Sequence, residues 1–267
     1  MSDVILSFDE VTVQFGGVRA CDAISGQVER GSLFALIGPN GAGKTTLVNA
    51  ISGVYKPLAG SRVDFHPDGK ATENLLGYRP YQISRLGVAR TFQNLGLFMG
   101  ENVLTNLLMG RYVHEHTRLM EGGLFTRRAV KRELAARAAI ERVVDLLDLR
   151  EVRREPVGDL PYGVQKRIEF GRVLAMEPEL LMLDEPMAGM SVDEKQAMIR
   201  YIYAAQAELD MTVFLIEHDM GVVMSIADHV MVLDFGQKIA EGTPAAMQQD
   251  KRVVAAYLGT ELAADGR

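Results

Sequence analysis

The stretch GPNGAGKTT, Gly38 to Thr46, constrains the fold more than any other part of the chain. It follows an apolar run, LFALI (Leu33 to Ile37), and leads into TTLVNAIS, which reads as the start of a helix. It fits G-x-x-x-x-G-K-[ST] between a strand and a helix, the setting that gives the pattern its meaning. Glycines there let the backbone curl so that successive N–H groups point at one anion. The helix that follows adds its positive end. Gly38, Pro39, Asn40, Gly41, Ala42 and Gly43 are therefore expected to cradle the phosphates of a nucleotide, together with Lys44, Thr45 and Thr46. Lys44 would reach the β- and γ-phosphates, and Thr45 would offer its hydroxyl to Mg²⁺.

Two later apolar runs, LLML (Leu180 to Leu183) and TVFLI (Thr212 to Ile216), also have strand character. Strands alternating with helices imply a mostly parallel sheet covered by helices. The first part of the chain differs. VILSFDEVTVQF alternates imperfectly and Gly16-Gly17 supplies a turn, so short antiparallel strands are expected there. HVMVLDFGQKIAEG reads as a hairpin turning at Asp234 to Gly236. Between about Asn94 and Arg154 strand signals nearly vanish. NVLTNLLMG places Val103, Leu104, Leu107 and Leu108 on one helical face, and ELAARAAIERVVDLLDL does the same with Ile140, Val143, Val144 and Leu147. The connecting RYVHEHTRLMEGGLFTRR reads as a loop. The expected fold class is α/β: one domain over 1–267, its core built from 1–93 and 171–267 with an N-terminal antiparallel β subdomain, and a helical subdomain inserted at 94–170.

LLMLDEP carries the second half of the chemistry. Asp184 ends an apolar strand, so its carboxylate emerges at the strand's C-terminal edge beside the loop, where it would bind Mg²⁺ through water. Glu185 follows and would accept a proton from an attacking water. The adjacent carboxylates point to hydrolysis rather than nucleotide binding alone. His218 closes TVFLIEHD at the end of another strand and is placed to contact a γ-phosphate or water at the same sheet edge. No N-K-x-D occurs, which speaks against a guanine-reading GTPase.

The net charge of -6 argues against a nucleic-acid partner. The single cysteine, Cys21, excludes an intramolecular disulfide and suits a reducing compartment as a small buried residue. No apolar run approaches the roughly 20 residues needed to cross a bilayer, and MSDVILSFDE does not read as a signal peptide. Membrane association is therefore expected only through a partner. His114 and His116, two apart, lack the neighbouring ligands of a metal site.

A final stretch, LPYGVQKR (Leu160 to Arg167), sets a proline, an aromatic and a glycine before a helical pattern at Ile168 to Met176. With it the ordered set resembles the ATP-binding subunits of ABC transporters over essentially the whole chain. That resemblance implies a P-loop ABC ATPase core that binds ATP and Mg²⁺ and hydrolyses ATP. It makes Phe15 the aromatic on which adenine stacks, Gly38 to Thr46 the Walker A loop, and Gln93 in ARTFQN the Q-loop ligand of Mg²⁺. Pro161, Tyr162, Gly163, Val164 and Gln165 occupy the signature, which acts in trans on the nucleotide of a second subunit. Asp184 and Glu185 become the Walker B pair, Gly189, Met190 and Ser191 the D-loop, and His218 the switch histidine. Glu185, His218 and Lys44 would carry catalysis. The signature wording, RLGVARTFQNLGLF, IEHDMGVVM and the tail EGTPAAM…VVAAYLG resemble the branched-chain amino-acid uptake class, LivG type.

Three positions depart from the pattern: Pro161 stands for the usual serine, Val164 for glutamine and Ser191 for aspartate. The family also implies a homodimer or a heterodimer with a second ABC ATPase, transmembrane permease subunits, and a periplasmic substrate-binding protein. The expected place is the cytoplasmic face of the inner membrane. Other readings are a urea, amide, aromatic-acid or lipid system, a soluble ABC ATPase without a transporter, or a nucleotide-dependent binding module.

Overall fold

The alternation in VILSFDEVTVQF yields a long strand, and the next stretch, beyond Gly16 (φ 57°) and Gly17, yields its antiparallel partner. In the computed structural model, residues 4–91, 96–114 and 127–264 are described. The elements in chain order are β1 (Val4–Phe15), β2 (Val18–Glu29), β3 (Leu33–Ile37), α1 (Lys44–Ile51), β4 (Arg62–Phe65), β5 (Glu73–Asn74), α2 (Pro80–Leu86), β6 (Val88–Arg90), α3 (Val103–Arg111), α4 (Arg127–Leu146), α5 (Tyr162–Leu174), β7 (Leu180–Asp184), α6 (Val192–Leu209), β8 (Thr212–Ile216), α7 (Met220–Ile226), β9 (His229–Asp234), β10 (Gln237–Gly242), α8 (Pro244–Gln249) and α9 (Lys251–Ala264). They form two compact units: Met1–Arg90 with Glu179–Glu185 and Asp210–Arg267, and Thr91–Pro178 with Pro186–Leu209.

The first unit holds both sheets. One is antiparallel in the order β2-β1-β4-β5. The other runs β10-β9-β3-β8-β7-β6, parallel from β9 to β6, with β10 antiparallel at its edge. Strands β3, β7 and β8 are buried along their whole length because both faces of the sheet are covered, which is why they read as unbroken apolar runs. On β3, Phe34 and Leu36 face a core with Leu47, Val48 and Ile51 of α1 and with Ile5 and Phe8 of β1. Ala35 and Ile37 face the other way, toward Val223 of α7, Met247 of α8 and Val253 of α9. The hairpin turn falls at Phe235 (φ 45°) and Gly236 (φ 76°), between β9 and β10. Strands β4, β5 and β6 carry too few residues for a periodicity to register, and they enter the sheets only through their neighbours.

The second unit is helical. On α4, Ile140, Val143 and Val144 are buried, and Leu147 just past its end is buried with them, as the spacing predicts. On α3 the buried face is different from the expected one: Val103, Asn106, Leu107 and Gly110, with Leu108 41% exposed. Two facts explain the rotation. Asn106 is buried because its amide is satisfied, accepting from the Phe98 amide (2.8 Å) and donating to the carbonyls of Phe98 (3.0 Å) and Asn102 (3.1 Å). Gly110 lets α5 approach, since a Cβ there would lie 2.1 Å from the Arg172 carbonyl oxygen. The helix expected at Ile168 to Met176 begins earlier, at Tyr162, so the signature glycine is a helical residue rather than part of an approach. Gln93, His116 and most of the expected loop after Tyr112 lie outside the described residues.

Candidate active site

The loop Gly38 to Gly43 leaves β3 in the middle of the parallel sheet and ends in the first turn of α1. Its two ends are clamped by neighbouring backbone. A Cβ on Gly38 (φ 150°) would lie 2.1 Å from the Leu233 carbonyl oxygen, and one on Gly43 (φ 100°) would lie 2.3 Å from that of Ala20. Only glycine fits either place. The Gly236 amide donates to the Ala42 carbonyl (3.0 Å), and the Cys21 thiol donates to the Gly43 carbonyl (3.5 Å). The loop thus rests on β2 and on the β9–β10 turn. In a helix, the amides of the first turn have no intrahelical acceptor, which leaves those of Lys44, Thr45 and Thr46 to an outside anion. Lys44 is buried and folds back over the loop, donating to the carbonyls of Gly38 (2.6 Å) and Pro39 (2.9 Å). Burial lowers its pKa, while the nearby carboxylates of Glu185 and Asp184 act in the opposite sense.

Asp184 is the last residue of β7, and its neighbour on the sheet edge is β6. Arg90 ends β6 and donates to Asp184 Oδ2 at 2.7 Å, with side chains only 7% and 2% exposed. The same guanidinium donates to Asn49 Oδ1 (2.6 Å) and Ser52 Oγ (2.9 Å), both at the end of α1. One arginine therefore fixes the helix after the loop against the carboxylate of the next strand. Glu185 follows with φ 48°, a left-handed conformation that costs a non-glycine residue about 1–2 kcal/mol. Its amide is held by the Ile216 carbonyl of β8 at 2.9 Å. His218, two residues past β8 and 56% exposed, sets Nδ1 3.8 Å from Glu185 Oε1 and 3.8 Å from Glu217 Oε2. Glu217 is buried and accepts from the His218 amide at 3.2 Å, fixing the turn that carries the imidazole. Phe15, half exposed at the end of β1, meets the edge of Tyr55 with ring centroids 5.1 Å apart. Lys44, Asp184, Glu185 and His218 thus gather at the C-terminal edge of one sheet, in one unit.

The residues expected to act in trans belong to the other unit. Pro161 is the residue before the first turn of α5, and its carbonyl accepts from the amides of Val164 (2.9 Å) and Gln165 (3.0 Å). The Gln165 side chain donates back to the Leu160 carbonyl at 2.8 Å. Tyr162 donates through its hydroxyl to the Ala188 carbonyl at 3.3 Å, next to Gly189 (φ 76°). Met190 is nearly buried, and Ser191 donates through both amide and hydroxyl to Glu194 Oε2, each at 2.8 Å. Arg90, Glu217 and Glu194 had no place in the sequence reading. Their signals are faint ones: a charged residue closing VAR, and acids beside His218 and in SVDEK.

With this geometry in hand, comparison with known proteins is decisive. A family profile described as ABC transporter matches residues 21–188. The chain belongs to the ABC transporter family. A second profile, described as branched-chain amino acid ATP-binding cassette transporter, matches 237–263 of the cassette, from β10 into α9. The high-affinity branched-chain amino acid transport ATP-binding protein BraF of Pseudomonas aeruginosa is 39% identical over 262 residues, covering 97% of this chain and 99% of that one. LivG of Escherichia coli, described in the same words, is 37% identical over 263 residues, with 97% and 99% covered. Among solved structures, an ATP-binding cassette in its ADP conformation matches at a TM-score of 0.81 and 28% identity, covering 96% of this chain and 99% of that one. A nucleotide-free cassette matches at 0.80 and 29% identity, covering 95% and 98%. The cassette is thus a nucleotide-binding ATPase of the transport class, homologous to the ATP-binding subunits of branched-chain amino acid importers.

Proposed function

We propose that this cassette hydrolyses ATP, with Mg²⁺, to drive import of branched-chain amino acids or a related small polar solute through permease subunits. The observation that carries the reading is the grouping of buried Lys44 and Asp184 with Glu185 and the exposed His218 at one sheet edge, beside a loop whose ends only glycine fits. The loop amides and Lys44 hold the β- and γ-phosphates, and Phe15 offers a ring face to the adenine. Among the described residues no cluster of three or more His, Cys, Asp or Glu could hold a metal ion. Thr45 and Asp184 nevertheless suit Mg²⁺, which takes few protein oxygens and completes its shell with water and substrate phosphates. When bound, Mg²⁺ neutralises charge on the β- and γ-oxygens. Glu185 removes a proton from the attacking water as its oxygen bonds to the γ-phosphorus. The bond to the bridging oxygen breaks, giving ADP and phosphate. His218 orients the water and γ-phosphate, and Lys44 and the loop amides stabilise the charge that develops.

A second copy, or a related ATPase, completes the site by presenting its α5 N-terminus and D-loop. Permease subunits would dock near Gln93 and the helical subdomain, 94–170, inserted in the single domain 1–267. A periplasmic binding protein would deliver solute. The working place is the cytoplasmic face of the inner membrane, and no helix among the described residues is long and apolar enough to cross it. Identity to BraF and LivG over nearly full length supports the substrate class.

Glu185→Gln tests the chemistry. Phosphate release should fall by about 10²–10⁴ while ATP binding persists. Release at the parental rate would remove Glu185 from the role of base. Loss of leucine uptake in cells lacking the cassette, restored by the parental chain only, tests the transport assignment.

A further inference from the structure

The signature glycine has an oddity of place. Gly163 lies inside α5 with an ordinary helical backbone, and it is absent from the residues with positive φ. Conformation therefore does not demand a glycine. What glycine provides is room: a Cβ at 163 would fall 2.1 Å from Glu194 Oε1 and 2.7 Å from Glu194 Cδ, so any larger residue would push that carboxylate aside. The carboxylate of Glu194 lies across the open side of the signature helix.

The other oxygen of the same carboxylate holds the D-loop. Glu194 Oε2 accepts from the Ser191 amide and hydroxyl, each at 2.8 Å, and Ser191 Oγ in turn accepts from the Glu194 amide at 3.4 Å. Taken alone this is a reciprocal cap at the start of α6. A cap, however, uses one end of the carboxylate, and here the other end rests against α5. A second tie runs beside it. The Tyr162 hydroxyl donates to the Ala188 carbonyl at 3.3 Å, and its ring would lie 3.3 Å from a Cβ on Gly189. Both hydrogen atoms that Ser191 offers are directed to Glu194, so the residue that stands for aspartate serves an internal brace. Bonds from Ser191 hold the Glu194 carboxyl below its usual range, and it stays ionised through neutral pH.

We propose that Glu194 is a positioning residue that fastens the D-loop to the signature helix, so that a second copy meets both as one preassembled surface. The inference rests on the function proposed above, since it gives the two segments a joint task in trans. Preassembly removes the ordering cost that a helix end and a loop free to move separately would pay on association.

The test is ATP-driven dimerisation, followed by analytical ultracentrifugation in full-length chains that all carry Glu185→Gln. Adding Glu194→Ala should weaken the Mg-ATP dimer by about tenfold, the scale of a lost charged hydrogen bond, while ATP affinity of the monomer stays within error. Glu194→Gln keeps an acceptor at the same place and should restore most of the loss. Should Glu194→Ala fail to fold, Ser191→Ala removes one of the two bonds and should weaken dimerisation in the same direction by less. Unchanged dimerisation in Glu194→Ala or Ser191→Ala overturns the inference while leaving the function intact. So does an equal loss in the alanine and glutamine variants, which would assign the effect to charge alone. A parental Glu185→Gln chain that forms no dimer with ATP sinks the function and this inference together.

Discussion

The phosphate-loop region and the signature region solve opposite problems. Around Lys44 and Asp184, charged groups are buried, and each is held by a partner of fixed position: loop carbonyls for Lys44, the Arg90 guanidinium for Asp184. Around Gly163 and Ser191, the atoms proposed to meet a second copy are backbone, and the side chains that hold them, Tyr162 and Glu194, are not buried. A site that must receive four negative charges has to be organised before the ligand comes, because charges cannot be moved into a low-dielectric pocket cheaply. A surface that meets its target only on association can leave its polar groups in water until then. The first region is thereby exposed to large losses from single substitutions, and the second to small ones.

Arg90→Met attacks the contrast where it is strongest. The Arg90–Asp184 pair is almost wholly buried, and removing the cation leaves a carboxylate without its ion-pair partner in the core. Stability should drop by about 3–5 kcal/mol, read as a shift in urea midpoint with unchanged slope. The matched control lies in the other unit. Arg153 and Glu141 pair at 3.1 Å with side chains 35% and 50% exposed, and Arg153→Met should cost at most about 1 kcal/mol. Equal losses in the two variants would abolish the distinction drawn here.

A gentler probe is Tyr162→Phe. The hydroxyl makes one bond of 3.3 Å to the Ala188 carbonyl from an exposed side chain. Removing it should change stability by about 0.5–1.5 kcal/mol and leave the affinity of the monomer for ATP alone. A fall in that affinity would mean that the signature region communicates with the nucleotide inside one copy, and the comparison would need redrawing.

The same contrast sorts what was legible in the sequence. Gly38 to Thr46, the carboxylates closing β7 and the histidine after β8 are local patterns, each a few residues long beside an apolar run, so they could be read before any fold was known. The α/β class followed from the runs that form β3, β7 and β8. What supports those motifs was not legible. Arg90 reaches Asp184 across 94 positions of sequence, and the two meet only because β6 pairs with β7. Asn106 reads as a polar interruption of a helical face, yet its bonds to Phe98 and Asn102 turn it inward. The start of α5 was misjudged because proline and glycine look like a break, whereas proline is tolerated at the head of a helix and Gly163 makes room for Glu194.

Cys21 gives the finest reading of the bed beneath the phosphate loop. It is fully buried on β2, its thiol donating to the Gly43 carbonyl. Burial pushes the thiol up to about 12 from an unperturbed 9.0. Below pH 9.0 both folded and unfolded chains carry the proton, so this group adds no pH dependence to stability. Between pH 9 and about 12 the unfolded chain releases the proton and the fold does not, so stability falls as pH rises through that window. At neutral pH the expected effect on stability is nil, and the signal is reactivity instead. At pH 8 the folded thiol should alkylate about a thousandfold more slowly than in urea, the ratio of thiolate populations that the shift implies. ATP should slow it further, since phosphate held at the loop suppresses the opening that exposes Cys21. If alkylation of the native chain matched the unfolded rate, the loop would lie on a yielding support, and the claim that this region is organised before its ligand arrives would fail at its foundation.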